Sequence, residues 1–182
     1  DSSQIDKIVI PYVPMKNYFS KLIFCLFNNK SIYSATIMTL SELYILFTFK
    51  KNIRRLFKNS DLELRKNCSI ILYDHHMAHA SSAYFVSGFR NSMIITWDGR
   101  GEWACLTVSK AVNNKIEKIL EQTVPHSLGQ FYESITNYLG FKEFGNEYKV
   151  MGLSAFGKPK YYNQLKKIIY LDENGNVKIN QK

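Results

Sequence analysis

Two histidines four positions apart raise the first question about chemistry. In DHHMAHASSAYFVSGF, residues 74–89, the three histidines His75, His76 and His79 fall within five positions. On a helix, His75 and His79 share one face a turn apart, and two imidazoles so placed can grip one divalent metal. The glutamate of an HExxH metalloprotease is missing between them, and His76 points about 100° away from His75. Capping and core packing use the same residue types, so spacing alone leaves both readings open. A second group is WDGRGEW, residues 97–103. Here Asp98 can bind a metal or its water, while backbone N–H groups around Gly99 and Gly101 can face a phosphate. An ordinary hairpin would use the same Asp-Gly pair as a turn.

Two further stretches carry glycines beside polar side chains. PHSLGQFY, residues 125–132, places Ser127 and Gly129 at a helix start, either as an anion seat or as a plain cap. EFGNEYKVMGLSAFGKP, residues 143–159, sets Glu147 and Lys149 among Gly145, Gly152 and Gly157. Lys149 could meet a phosphate, Glu147 a ribose hydroxyl, and Gly152 could permit close approach. A surface loop with a salt bridge is the alternative. Neither GxxxxGK[ST] nor GxGxxG occurs, which excludes the P-loop and Rossmann modes of phosphate binding.

These residues need elements to position them. The β-branched run at 7–14 predicts a strand stopped by prolines, and 17–27 and 34–57 predict helices with a break near NNKS. The apolar run 68–74 predicts a buried strand, followed by a helix capped by Asp74 and ended by Gly88. Residues 92–99 predict another buried strand ending at a glycine turn, and 92–124 together an antiparallel three-stranded meander with VNNK as its second turn. In 127–141, Phe131, Ile135, Tyr138 and Leu139 predict one helix face, with Gly140 as cap. A short helix within 146–157, another over 160–169 and a turn leading into a strand at 172–180 complete the pattern. The histidine pair thus opens a helix directly after a strand, where α/β folds place ligand crevices.

Composition narrows the classes. The net charge is +9, but the lysines are dispersed, and KKNIRRLFK at 50–58 reads equally well as one helix face. No basic block with interleaved aromatics stands out, so no nucleic-acid partner is expected. The three cysteines are far apart and lack CxxC spacing, which fits a reducing, cytoplasmic setting and gives no cysteine zinc site. The opening DSSQIDKIVI reads as polar residues entering a strand, not a secretory leader. The apolar window 32–49 holds Glu42 and several hydroxyls, so a buried helix or two short elements is expected there, with no membrane partner.

Taken in order, DHHMAHASSAYFVSGF, DGRGEW, PHSLGQFYESITNYLGF and NEYKVMGLSAFGKP resemble the N-terminal domain of the NodU/CmcH-type carbamoyltransferases. The match is dense over 68–159 and loose over 1–67. The resemblance implies an α/β, actin/hexokinase-like (ribonuclease H-like) fold with a mixed sheet, related to the tRNA threonylcarbamoyl transferase subunit and part of HypF. It implies transfer of a carbamoyl group from carbamoyladenylate to a hydroxyl of a sugar or natural product. The carbamoyladenylate comes from carbamoyl phosphate and ATP in a second, YrdC-like domain. It further implies a divalent metal, usually iron, on His75, His79 and Asp98, phosphate against Gly99 and Gly101, and nucleotide near Ser127, Gly129, Glu147, Lys149 and Gly152. His126 and His76 are the candidates for a general base. N/O ligands suit iron, zinc and manganese alike.

Members of that family are much longer. The sequence reads as an internal piece of a partial domain over 1–182, expected to follow a glycine-containing phosphate loop and to precede the rest of the core, a fourth metal ligand and the YrdC-like domain. The isolated chain is therefore expected to be inactive in transfer. Two other readings stay in play: a non-catalytic nucleotide- or metal-binding remnant of the same fold, and a basic nucleic-acid-binding scaffold whose histidines only pack.

Overall fold

The computed structural model describes residues 4–27, 32–62, 64–143 and 145–180. By its internal contacts the chain divides into two compact units, Asp1–Ala78 and His79–Lys182. Among the described residues it is a mixed α/β protein with six helices and seven strands.

In the first unit, β1 (Lys7–Ile10) lies parallel to β2 (Ser69–Leu72), with Ile8 opposite Ile70. A parallel pair needs a long crossover, and here α1 (Tyr18–Phe27) and α2 (Ile32–Asn59) supply it. The expected break at 28–31 lies outside the described residues. The window 32–49 belongs to a single helix, and much of its apolar surface is exposed, Tyr44 and Phe47 included. That corrects the expectation of a buried helix or two short elements. The helix turns inward a stripe that includes Glu42, which is buried and paired with the buried Lys21 of α1, so the remaining faces stay in solvent. The basic run at 50–58 falls on α2, where the Arg54 guanidinium donates to the carbonyls of Arg65 and Cys68 at 3.2 and 2.9 Å. It thereby ties the helix to the approach to β2. No helix among the described residues is long and apolar enough to cross a membrane.

Helix α3 (His75–Ser87) starts as expected: Asp74 Oδ1 accepts the Met77 N–H at 2.7 Å. It stops at Gly88, whose φ of 75° only glycine adopts freely. His76, Ala80 and Tyr84, each four residues apart, form its buried stripe. In the second unit the Tyr84 hydroxyl donates to the Arg90 carbonyl at 2.9 Å and accepts from the Asn114 N–H at 3.2 Å.

The meander is β3 (Asn91–Gly101), β4 (Ala104–Val112) and β5 (Lys115–Thr123), antiparallel in that order. Asn113 and Asn114, with φ of 47° and 64°, make the second turn as VNNK predicts. Two expectations change. The strands at 68–74 and 92–99 alternate instead of being buried on both faces: Ile71, Met93, Ile95 and Trp97 are exposed. A two-stranded and a three-stranded sheet each leave one face uncovered here. Within the first unit, among the described residues, β1 and β2 form a parallel pair, and within the second β3, β4 and β5 form an antiparallel sheet. The glycine segment also differs. Gly101 still pairs with Ala104, so the turn is Glu102–Trp103, and the register shift between Trp97 and Gly101 makes Asp98 to Arg100 a bulge. The turn residue with left-handed φ is Glu102, at 51°.

Helix α4 (Leu128–Tyr138) packs on β3 and ends in a Schellman motif. There the Gly140 N–H reaches the Asn137 carbonyl at 3.0 Å and the Phe141 N–H the Thr136 carbonyl at 3.2 Å. Its inward face is Phe131, Ile135 and Thr136; Tyr138 and Leu139, expected on that face, are exposed because the stripe turns at the buried Thr136. Helices α5 (Glu147–Ser154) and α6 (Tyr162–Ile168) follow. The last element is an antiparallel hairpin of β6 (Ile169–Leu171) and β7 (Val177–Ile179). Cys25, Cys68 and Cys105 are all buried free thiols, and burial pushes Cys105 up to about 11, away from thiolate chemistry.

Candidate functional site

The second unit builds its site where α4 meets the β3 bulge. Ser127 is the N-cap of α4: its Oγ accepts the Gln130 N–H at 3.1 Å and donates to the Gly99 carbonyl at 2.7 Å. The side chain is fully buried and spends its hydroxyl on the bulge. Gly129 allows this approach. A Cβ there would lie 2.7 Å from Asp98 O, Gly99 Cα and Gly99 N, all backbone atoms. The helix N-terminus is thus seated on the Asp98–Gly99 backbone. Bulges commonly re-aim one side chain, and here the side chain is Asp98. Its Oδ1 accepts the Gly99 N–H at 2.6 Å, and its Oδ2 stands 3.6 Å from His79 Nε2 on α3.

One turn before His79 on the same helix face is His75. Within the first unit its Nδ1 lies 3.2 Å from the Pro11 carbonyl oxygen. The adjacent His76 ring is edge-on to that of His75 at 5.9 Å and points to the buried side of the helix.

Beside Asp98 opens a cleft of about 370 Å³ lined by Asp98, Gly99, Gly129, Tyr132, Glu133 and Glu147. Four expected residues therefore meet in it: Asp98, Gly99, Gly129 and Glu147. Ser127 is not in its lining, though its hydroxyl donates to the carbonyl of Gly99, which is. Gly101, Lys149 and Gly152 are not in its lining. Lys149 instead holds its ammonium about 5.9 Å over the Phe141 ring and 5.8 Å over that of Tyr148. Gly152 is exposed, and a Cβ added there would meet nothing within 4 Å, so no close approach requires this glycine. Sequence reasoning misses Tyr132 and Glu133, although a signal exists. They follow Gly129 by three and four residues, which puts them on its helix face.

Three carboxylates and no lysine or arginine line the cleft, among the described residues. Such a surface repels a bare phosphate and attracts a cation. The imidazole and carboxylate donors of His75, His79 and Asp98 are of the kind that divalent iron, zinc and manganese accept.

His126 has another task. Its Nδ1 accepts the Ile179 N–H at 3.2 Å, while Gln122 Oε1 accepts the Val177 N–H at 3.1 Å, so two side chains dock the terminal hairpin. Burial, and then the Lys178 charge, hold the imidazole below its usual 6.5. The folded state thus favours neutral His126. Its contribution is complete above pH 6.5 and is lost as pH falls through the lower folded value. The expected result is a small loss, under ~1 kcal/mol for a group still reached by solvent. In melts from pH 7.5 downward, His126→Asn should flatten part of the acid slope, since its amide oxygen accepts at any pH. An unchanged slope would remove this role.

Comparison with known proteins places these features in context. A family model described as Carbamoyltransferase N-terminus matches residues 4–182. "Uncharacterized protein sll1178" of Synechocystis sp. is 34% identical over 140 residues, 76% of this chain and 22% of that protein. "Nodulation protein NolNO" of Sinorhizobium fredii is 36% identical over 111 residues, 60% of this chain and 16% of that protein. "Nodulation protein NolO" of Bradyrhizobium diazoefficiens is 37% identical over 92 residues, 50% of this chain and 17% of that protein. The chain spans about a fifth of the length of the curated relatives it matches.

Proposed function

The chain belongs to the carbamoyltransferase N-terminal family, and from that premise we propose that it is the transfer domain of an O-carbamoyltransferase. In this reading a carbamoyl group passes from carbamoyladenylate to a hydroxyl of a sugar or natural product. The rest of the polypeptide completes an actin/hexokinase-like core and carries the YrdC-like domain that makes carbamoyladenylate from carbamoyl phosphate and ATP. His75, His79 and Asp98 hold a divalent metal, iron foremost. The observation that carries the reading is the pairing of His79 with Asp98, 3.6 Å apart, with His75 one helical turn before on the same face.

The donor set fits such an ion: two imidazoles, one carboxylate and an acidic cleft beside them. When bound, the metal supplies positive charge to polarise the carbamoyl carbonyl and to neutralise phosphate. The chain's own residues do the rest. Gly99 lines the cleft as bare backbone, with open space where a Cβ would stand, so the donor can approach closely. The acceptor oxygen forms a bond to the carbamoyl carbon, the bond from that carbon to the phosphate oxygen breaks, and AMP leaves. Glu133 and Glu147 are the cleft carboxylates placed to receive the acceptor's proton. Positioning supplies much of the rate, because AMP is a good leaving group.

The test uses the full-length polypeptide with carbamoyl phosphate, ATP and a panel of polyol acceptors, followed by mass spectrometry. The expected products are AMP and a carbamoylated acceptor whose mass gain equals one carbamoyl group. ATP turnover with no acceptor carbamoylated across the panel would sink the proposal.

A further inference from the structure

We propose that the segment from Pro11 to Asn17 is a clamp that selects the ligating nitrogen of His75 and fixes its angle, with Lys16 and Glu42 as positioning residues. The proposal rests on the reading of His75 as a metal ligand and names what orients it. A carbonyl oxygen only accepts, so the 3.2 Å contact from His75 Nδ1 to Pro11 O places the hydrogen on Nδ1. In the neutral ring the lone pair then sits on Nε2, which makes Nε2 the nitrogen able to ligate. Ligating histidines are commonly oriented in this way by a partner on the other nitrogen.

Two anchors hold the segment. Met15 and Asn17 have φ of 63° and 57°, a left-handed conformation that side chains other than glycine adopt at a cost. Glu42 Oε2 meets that cost by accepting the Met15 N–H at 2.5 Å, while its Oε1 pairs with Lys21. Both members of the pair are buried, with Lys21 at 3% and Glu42 at 7% exposure. Between the two strained residues stands Lys16, whose ammonium pairs with Asp74 Oδ2. The other oxygen of Asp74 caps α3. The first turn of the helix, which begins at His75, is therefore held from two sides by one segment. A purely structural role would change stability alone. Positioning also changes the tautomer of His75 and its affinity for metal while the fold is kept.

The experiment uses the full chain, with Co(II) as probe. Nitrogen-15 spectra of the His75 ring in metal-free protein read the tautomer, and visible absorption titrations read binding. Wild type should show hydrogen on Nδ1. Lys16→Met and Glu42→Gln should weaken Co(II) binding by about 10–100-fold with unchanged circular dichroism, and should mix the His75 tautomers. Lys16→Arg should restore both. If Glu42→Gln fails to fold, Lys16→Met decides, because its contact is partly exposed. Folded variants that bind Co(II) like wild type and keep the Nδ1 hydrogen would overturn the clamp. If wild type binds no Co(II), the metal reading fails, and the tautomer in Lys16→Met still decides the clamp.

Discussion

The His75→Ala/His79→Ala double variant is expected to lose its divalent metal while keeping its fold. Removing both imidazoles leaves one carboxylate of the proposed set, and a single carboxylate competes poorly with water for a divalent ion. The loss in affinity should exceed the ~10–100-fold that changes behind the ligands produce. The fold should survive because neither residue belongs to the buried stripe of α3, which is His76, Ala80 and Tyr84. Alanine is also a better helix former than histidine. Elemental analysis after anaerobic purification, beside a Co(II) titration, reads the outcome. Equal metal in wild type and variant would remove His75 and His79 from the site. A His76→Ala variant should behave in the opposite way, losing stability through the core with metal content retained.

The second large effect is expected from a single methyl group. Gly129→Ala would put a carbon 2.7 Å from three backbone atoms of Asp98 and Gly99, and no side-chain rotation can relieve a clash with backbone. Either α4 or the bulge must move, at a cost of about 1–3 kcal/mol, against about 1 kcal/mol gained in helix propensity. The net loss is up to about 2 kcal/mol, and a melting temperature lower by up to about 8 °C follows for a chain of this size. Because the displaced backbone carries the Asp98 carboxylate, metal affinity should fall with it. Gly152→Ala is the matched control: a helical glycine with open space around it, expected to be neutral or stabilising by up to ~1 kcal/mol. A Gly129→Ala variant with both the melting temperature and the metal affinity of wild type would show that helix and bulge are not in contact.

Much of the site's framework was legible in the residues. Asp74 as a cap, Gly88 as a stop and the asparagine turn at 113–114 are local signals, and local signals need no knowledge of the remaining chain. The bulge at Asp98 was not legible in this way. Two glycines suggested a turn, yet the pairing of Gly101 with Ala104 decides where the strand reverses, and pairing is set between strands. Ser127 carried the same ambiguity, since a capping hydroxyl and an anion-binding one look alike until the carbonyl of Gly99 is seen to accept from it. Glu42 is the instructive miss. In the sequence it served only to argue against a membrane span; in the fold it is a buried member of an ion pair that reaches the backbone of Met15. A charge inside an apolar run points to a partner, but periodicity cannot say which one.

The buried cysteines have a practical consequence for following motion in solution. Alkylating reagents need a thiolate, and Cys105 reaches that state only near pH 11, while Cys25 and Cys68 are shielded by packing. A cysteine introduced at Tyr138, 87% exposed on α4, would therefore take a spin label or fluorophore first, with the native thiols left in place. Pulsed distance measurements from that label to a second one on the meander would report on the helix that carries Gly129, without stripping the protein of its own sulfur.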